Sequence, residues 1–170
     1  EVNLNFSKES VVSPAQGKVV RISMREENDF LKKDMLCISI FLSVFDVHVN
    51  YAPFDGIVEG IIYKKGKFLN AMSDRSSEVN ERLSMLLSTE TGNIVVKQIS
   101  GLIARRVVCN AKKGDFLKKG MRYGIIKFGS RVDIFLPENF QPAVKIGDKV
   151  LAGITVIAEN CNPDSRQLKK

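Results

Sequence analysis

A seven-residue turn pattern recurs along this chain, and its recurrence leaves few folds open. Gly114-Asp115-Phe116-Leu117-Lys118-Lys119-Gly120 and Gly147-Asp148-Lys149-Val150-Leu151-Ala152-Gly153 share the form G-D-x-Φ-x-x-G, with Φ aliphatic. Asn28-Asp29-Phe30-Leu31-Lys32-Lys33-Asp34 is a third copy with Asn and Asp in place of the glycines, and Gly66-Lys67-Phe68-Leu69 begins a looser fourth. Asn and Asp tolerate positive φ best after glycine, so the third copy is expected to turn as the others do. Three glycines open apolar stretches in a shared way: Gly17-Lys18-Val19-Val20, Gly56-Ile57-Val58 and Gly101-Leu102-Ile103. Strand, turn, strand is the natural reading, and the unequal spacing of the copies argues for a folded β unit rather than a solenoid.

Runs rich in Val, Ile and Phe fill the intervals, at Ile38 to Leu42, Ile94 to Ile99, Tyr123 to Phe128 and Val132 to Leu136, which makes the class mainly β. A glycine-opened strand followed by this turn resembles the hammerhead, or barrel-sandwich, module of biotinyl and lipoyl carrier domains. One segment departs from the β pattern. Between Asp74 and Ser88, the residues Val79, Leu83, Leu86 and Leu87 fall at i, i+4, i+7 and i+8, the stripe of an amphipathic helix, which Ser73 or Asp74 would cap. A helix over residues 74–88 is therefore expected on a barrel-sandwich core. Residues 1–159 form one domain in this reading, and 160–170 a disordered tail without periodicity.

With 44% hydrophobic and 26% charged residues in 170, the chain can bury one real core. Cys37, Cys109 and Cys161 stand far apart with no C-x-x-C pair, so neither a zinc site nor a disulfide framework is indicated, and a reducing compartment is the simplest home. The longest apolar stretch, Met35 to Phe45, is far short of a membrane helix. No signal-peptide pattern precedes the domain. Net charge is +7, a sign compatible with nucleic acid, acidic lipid or acidic protein. The basic residues recur as pairs beside turns, Lys32-Lys33, Lys64-Lys65, Lys112-Lys113 and Lys118-Lys119. They are either solvated turn residues or a surface that meets anionic membrane. A nucleic-acid reading rests on basicity alone, with no helix-turn-helix or RNA-binding aromatic pair.

His48 is the only histidine, which rules out a His-based metal cluster. Strand alternation through Asp46-Val47-His48-Val49-Asn50 would put Asp46, His48 and Asn50 on one face, as a solvent-facing polar row or as part of a site. Gly129-Ser130 stands between two strand-like runs, where a turn is the ordinary role of such a pair. There is no G-x-S-x-G elbow, no Walker A loop and no G-x-G-x-x-G fingerprint.

Taken together, several strings resemble the phosphatidylserine decarboxylase family, in particular its short bacterial type. They are Val12-Ser13-Pro14-Ala15-Gln16-Gly17, Ile40 to Ser43 leading into Asp46-Val47-His48-Val49-Asn50 and Ala52-Pro53, Asn80-Glu81-Arg82, Gly101 to Arg106, and Phe128-Gly129-Ser130-Arg131-Val132-Asp133. The resemblance implies a proenzyme that cuts itself between Gly129 and Ser130 into a β chain, 1–129, and an α chain, 130–170. The Ser130 hydroxyl attacks the preceding carbonyl to give an ester, and β-elimination with loss of ammonia leaves a pyruvoyl group on the α chain. No external cofactor is implied. The ketone forms a Schiff base with the amine of phosphatidylserine and accepts electrons as carbon dioxide leaves, giving phosphatidylethanolamine. His48 matches the family histidine of the decarboxylation step, as proton donor or substrate orienter. Implied partners are the anionic membrane surface, approached from the cytoplasmic side as a peripheral protein, and a second copy in a homo-oligomer.

Two positions depart from the family. Gln16 stands where the family has an aspartate that serves self-cleavage, and a neutral amide cannot stabilise a cationic base as a carboxylate does. Tyr51 stands where the related long type has a second histidine, and the apolar segment that the resemblance implies upstream is not among these 170 residues. The chain is accordingly expected largely as an uncleaved proenzyme, the alternative being that Asp55 of Pro53-Phe54-Asp55-Gly56 supplies the missing carboxylate and maturation proceeds. The competing readings are a non-catalytic relative and a barrel-sandwich carrier, although no Met-Lys-Met or Asp-Lys-Ala carrier motif occurs.

Overall fold

The computed structural model describes residues 6–43, 45–67, 69–102, 107–127 and 129–161. The elements run β1 (Ser10–Val12), β2 (Gly17–Glu27), β3 (Lys33–Leu42), β4 (Val49–Tyr51), β5 (Gly56–Lys64), α1 (Ser76–Val79), β6 (Arg82–Thr89) and β7 (Gly92–Ile99). They continue with β8 (Val107–Cys109), β9 (Phe116–Leu117), β10 (Arg122–Ile126), β11 (Ser130–Leu136), β12 (Phe140–Pro142), β13 (Lys149–Val150) and β14 (Val156–Asn160). The large sheet has the order β13-β2-β3-β11-β7-β6-β5-β9, and two three-stranded sheets, β1-β14-β12 and β4-β10-β8, close over one face of it. All strand pairings are antiparallel.

Alternation decides the faces. Ile38, Ile40 and Leu42 of β3 and Val132, Ile134 and Leu136 of β11 point inward, with Met85, Leu87, Ile94 and Val96, and join Tyr123, Ile126, Ile157 and Ala158 in one core. The intervening residues point outward, and register lines up a polar row across five strands: Arg21, Ser39, Asp133, Lys97 and Ser84.

The repeat is structural. Asp115 and Asp148 each accept from the amide three residues earlier, Lys112 (2.9 Å) and Lys145 (2.8 Å). Each turn then docks on a glycine-opened strand in the same way: Gly114 N donates to Val58 O and Gly147 N to Val19 O, while Val58 N and Val19 N return bonds to Asp115 O and Asp148 O. Farther on, Gly120 N donates to Ala52 O and Gly153 N to Ser13 O. The halves Ser13-Pro14-Ala15-Gln16-Gly17 and Ala52-Pro53-Phe54-Asp55-Gly56 are thus related by a local pseudo-twofold, which makes Asp55 the counterpart of Gln16.

Three expectations need correction. The third copy does not turn like the others: positive φ falls on Lys32 (49°), not on Asn28 or Asp34. Here Glu27 takes the amides of Asp29, Phe30 and Leu31, and the buried Asp29 carboxylate reaches across the outer face to Arg82, Lys64, Ser84 and Lys97. The helix over 74–88 is a single turn, α1, followed by β6. Met85 and Leu87 enter the core while Leu86 packs with the outer cluster of Met35, Cys37, Val95 and Phe135. A run buried on both sides satisfies helical and strand periods alike, and the ladder offered by β5 and β7 decides for the strand. Gly101 does not open a strand at Leu102, because both lie in the connection after β7; Ile103 to Arg106 fall outside the described residues. At the C-terminus, β14 includes Asn160, and Cys161 N donates to Asn139 O (2.8 Å); the remainder of the expected tail lies outside the described residues.

Candidate active site

Ser130 begins β11, flanked by β3 and β7, and pairs with Leu42. It is buried, and its Oγ donates to the Lys127 carbonyl, closing the turn that leaves β10. Gly129 supplies the conformation this turn needs, with φ of 70°, and its amide donates to Leu42 O (2.8 Å). The Gly129 carbonyl, which precedes Ser130, rests against bare backbone. A Cβ on Gly101 would overlap its oxygen, standing 2.8 Å from the carbonyl carbon and 3.5 Å from Ala71 Cβ.

The residue after Ser130 is the strongest anchor of this corner. Arg131 is fully buried, with Nε 2.9 Å from Asp133 Oδ1 and Nη1 donating to Ala71 O (2.8 Å) and Ser73 O (3.2 Å). It therefore ties the start of β11 to the loop before α1. Asn80 ties that loop to the end of β7: its Nδ2 donates to Leu69 O and to Ser100 O, both at 2.7 Å, and its Oδ1 accepts from Leu69 N (2.9 Å).

His48 reaches the same corner from the other side. The loop that carries it leaves β3 at Leu42, the partner of Ser130, and ends where His48 O accepts from Ile126 N (2.9 Å), the last residue of β10. The expected single face of Asp46, His48 and Asn50 does not form, because β4 starts only at Val49. Asp46 closes its own turn, accepting from Ser43 N (2.7 Å) and Ser43 Oγ (2.8 Å). Asn50 is buried between the sheets, where its Oδ1 accepts from Gln98 Nε2 (2.7 Å) and its Nδ2 donates to Pro14 O (3.4 Å).

Gln16 is half-buried just before β2. Lys18 pairs with Phe41, so Gln16 lies at the end of the sheet where Leu42 meets Ser130. Pro14 O also accepts from Tyr51 N (3.0 Å). The segments bearing Gln16, His48 and Gly129-Ser130 thus converge on the Leu42 end of β3. Asp55 does not join them. It sits at the pseudo-equivalent corner, beyond the opposite end of the sheet, where its Oδ1 accepts from Lys119 N (2.6 Å). Tyr51 packs its ring against Gly153, within 3.2 Å of where a Cβ would stand.

Sequence reasoning missed Gln98, named Asn80 only within a string resembling the family, and read Gly101 as opening a strand. Gln98 was detectable in principle, as a polar residue in phase with the inward-pointing Ile94 and Val96. Among other nucleophiles, burial pushes the Cys37 thiol up to about 12, with the nearby Asp133 carboxylate acting in the same direction, so it is unreactive at neutral pH. No group of three or more His, Cys, Asp or Glu side chains among the described residues is arranged to hold a metal ion, and no helix among them is long and apolar enough to cross a membrane.

The sequence matches the family described as phosphatidylserine decarboxylase over residues 4–158. It is 45% identical over 151 residues to the phosphatidylserine decarboxylase proenzyme of Desulfotalea psychrophila, covering 88% of this chain and 71% of that protein. The proenzyme of Ralstonia pickettii is 46% identical over 151 residues, with 88% and 70% covered, and that of Pelobacter propionicus 48% over 149 residues, with 87% and 67% covered. With a family match along most of its length and relatives this similar, the chain belongs to the phosphatidylserine decarboxylase family.

Proposed function

We propose that this chain is the proenzyme of a pyruvoyl-dependent decarboxylase that converts phosphatidylserine to phosphatidylethanolamine and carbon dioxide, and that it matures by cutting itself between Gly129 and Ser130. The observation that carries this reading is the geometry of that peptide, in which a hydroxyl held by one turn follows a glycine carbonyl that lies so close to Gly101 that a side chain there would overlap it. In maturation Ser130 Oγ bonds to the Gly129 carbonyl carbon, the peptide C–N bond breaks and the Ser130 nitrogen gains a proton; loss of the Ser130 Cα proton then expels Gly129 as a carboxylate, and water replaces the Ser130 nitrogen, which leaves as ammonia. A base must take the hydroxyl proton that now rests toward Lys127 O. His48 is the one imidazole available for that task or for protonating the product carbon later.

The site fits the group expected at residue 130. Burial between β3 and β7 fixes the new terminus, Arg131 and Asp133 anchor the chain immediately behind it, and nothing stands within 4 Å of where a Cβ on Gly129 would point. The pyruvoyl carbonyl, when formed, supplies an electrophile for the substrate amine and a sink for the electron pair released with carbon dioxide. The chain's own part is to hold that carbonyl, exclude water around it and deliver a proton from His48.

Gln16 predicts slow maturation. Removing the carboxylate partner of a catalytic base costs about 10⁴ in rate in the serine-protease analogy, so the chain is expected chiefly as an uncut 170-residue polypeptide. The test is a time course of intact mass. Gln16→Asp should yield chains of 129 and 41 residues (170 less 129) together with carbon dioxide release, and Ser130→Ala in that background should stay whole. Cleavage at this bond that persists in the Ser130→Ala chain would refute the reading. Equal maturation with Gln16 and Asp at position 16 would remove position 16 from the reaction.

A further inference from the structure

We infer that Gln98 and Asn50 form a buried positioning pair for the chemistry at residue 130, setting where His48 and the Pro14 to Gln16 segment stand relative to Ser130. The inference rests on the decarboxylase reading for that chemistry and gives these two amides a part in it. Both side chains are fully buried, an unfavourable place for a primary amide unless its donors and acceptors are met. Register places Gln98 opposite Val132, on the inward face that Ser130 shares by alternation, one diagonal step of roughly 7–8 Å from the serine. Asn50 comes from the sheet that closes over this face, two residues after His48 and paired with Gly124.

The hydrogen bonds run through both amides in one direction. Gln98 Nε2 donates to Asn50 Oδ1 (2.7 Å) and to Val108 O (3.4 Å), and Asn50 Nδ2 donates to Pro14 O (3.4 Å). Val108 O and Pro14 O are backbone carbonyls, which only accept, so neither amide can be turned over without setting oxygen against oxygen. The bonds link β7, which pairs with the strand of Ser130, to β4 next to His48, and from there to the segment that carries Gln16.

Gly124 leaves the room that the Gln98 amide occupies, since a Cβ there would overlap Val108 O and stand 3.0 Å from Gln98 Nε2. Gln98 Oε1 is then left buried, with no hydrogen-bond partner among the described residues. Apolar side chains would fill this space without an unmet acceptor, so stability is not what the pair supplies. What it supplies is a fixed spacing between the sheet that carries Ser130 and the strand that follows His48.

With one histidine in the chain, the His48 ring gives a single imidazole signal in proton–carbon NMR, and the test reads it. In the uncut chain Gln98→Met, which alters nothing near His48 in sequence, should shift that signal, as should Asn50→Leu. Asn139→Ala should not: it removes an amide pair beyond the Leu136 end of β11, where Asn139 Nδ2 donates to Asn160 Oδ1 (2.9 Å). In the Gln16→Asp chain, Gln98→Met and Asn50→Leu should each slow cleavage about tenfold or more, the loss expected when reacting groups are held off their geometry. The double substitution separates positioning from packing. With both partners apolar, thermal stability should return toward that of the parent, while cleavage stays as slow as in the slower single variant and the His48 signal stays displaced. A His48 signal unmoved by Gln98→Met, cleavage that recovers along with the melting temperature in the double variant, or slowing by Asn139→Ala equal to that by Gln98→Met would each overturn the inference. The His48 signal is read before any cleavage, so it decides the positioning role even where Gln16→Asp fails to mature, a result that counts against the self-cleavage reading alone.

Discussion

Replacing Gly101 with alanine is the most discriminating perturbation that the site geometry offers. The new Cβ would overlap the Gly129 oxygen and come within 2.8 Å of its carbonyl carbon. That neighbour is backbone and cannot rotate away, so the Gly129–Ser130 peptide or the strand end at Ser100 must move by about 1 Å. Overpacking of this kind costs about 1–3 kcal/mol, or a fall in melting temperature of about 2–12 °C for a chain of this length. The larger effect is on chemistry, because a misplacement near 1 Å can cost about 10²-fold in a reaction that depends on near-attack geometry. The assay is the cleavage half-time by intact mass in the Gln16→Asp background, paired with thermal melts. Gly114→Ala is the control: Gly114 has φ of 94° with nothing near its Cβ position, so it should lose stability through backbone strain while leaving cleavage unchanged. Gly101→Ala cleaving at the parent rate, or slowed only as much as Gly114→Ala, would refute the claim that this close approach sets the reacting carbonyl.

In a chain that matures, His48→Ala should abolish carbon dioxide release while borohydride still traps the substrate amine on the α chain; undiminished release would remove His48 from the decarboxylation step. Arg131→Met removes the guanidinium paired with the buried Asp133 and should cost about 3–5 kcal/mol in urea unfolding, more than Arg131→Lys; equal stability of all three chains would show that the guanidinium does not anchor β11. For Asp29, burial alone would raise the pKa, but Arg82, Lys64, Ser84 and Lys97 outweigh it and hold the carboxyl below the usual range. Stability from a depressed carboxylate is present above the unfolded-state value near about 4 and is lost as pH falls toward the folded one. Urea midpoints of wild type should therefore fall below about pH 4 more steeply than those of Asp29→Asn, and matching slopes would dismiss the cluster as an acid-sensitive element.

How much the sequence alone determined depends on whether the deciding forces were local. The G-D-x-Φ-x-x-G turns were legible because positive φ at Gly114, Gly120, Gly147 and Gly153 and the Asp115 and Asp148 turn bonds involve residues close in the chain. The β class followed from the same cause, and Ser130, His48 and Gln16 could be named from strings resembling the family. What the chain could not reveal by itself lay in contacts between distant segments. Asn28 to Asp34 obeyed the turn pattern on paper, yet Asp29 is drawn 53 residues along the chain to Arg82, and that bond fixes its conformation. Residues 82–89 had a helical stripe, yet the vacant ladder between β5 and β7 made them a strand. Asp55 carries the carboxylate that Gln16 lacks and is its counterpart in the pseudo-twofold, but only the course of the sheet decided that it sits at the opposite corner. Gly101 and Asn80 likewise owe their importance to the Gly129 carbonyl and the Leu69 and Ser100 backbone, partners that periodicity cannot name because close packing is settled in three dimensions.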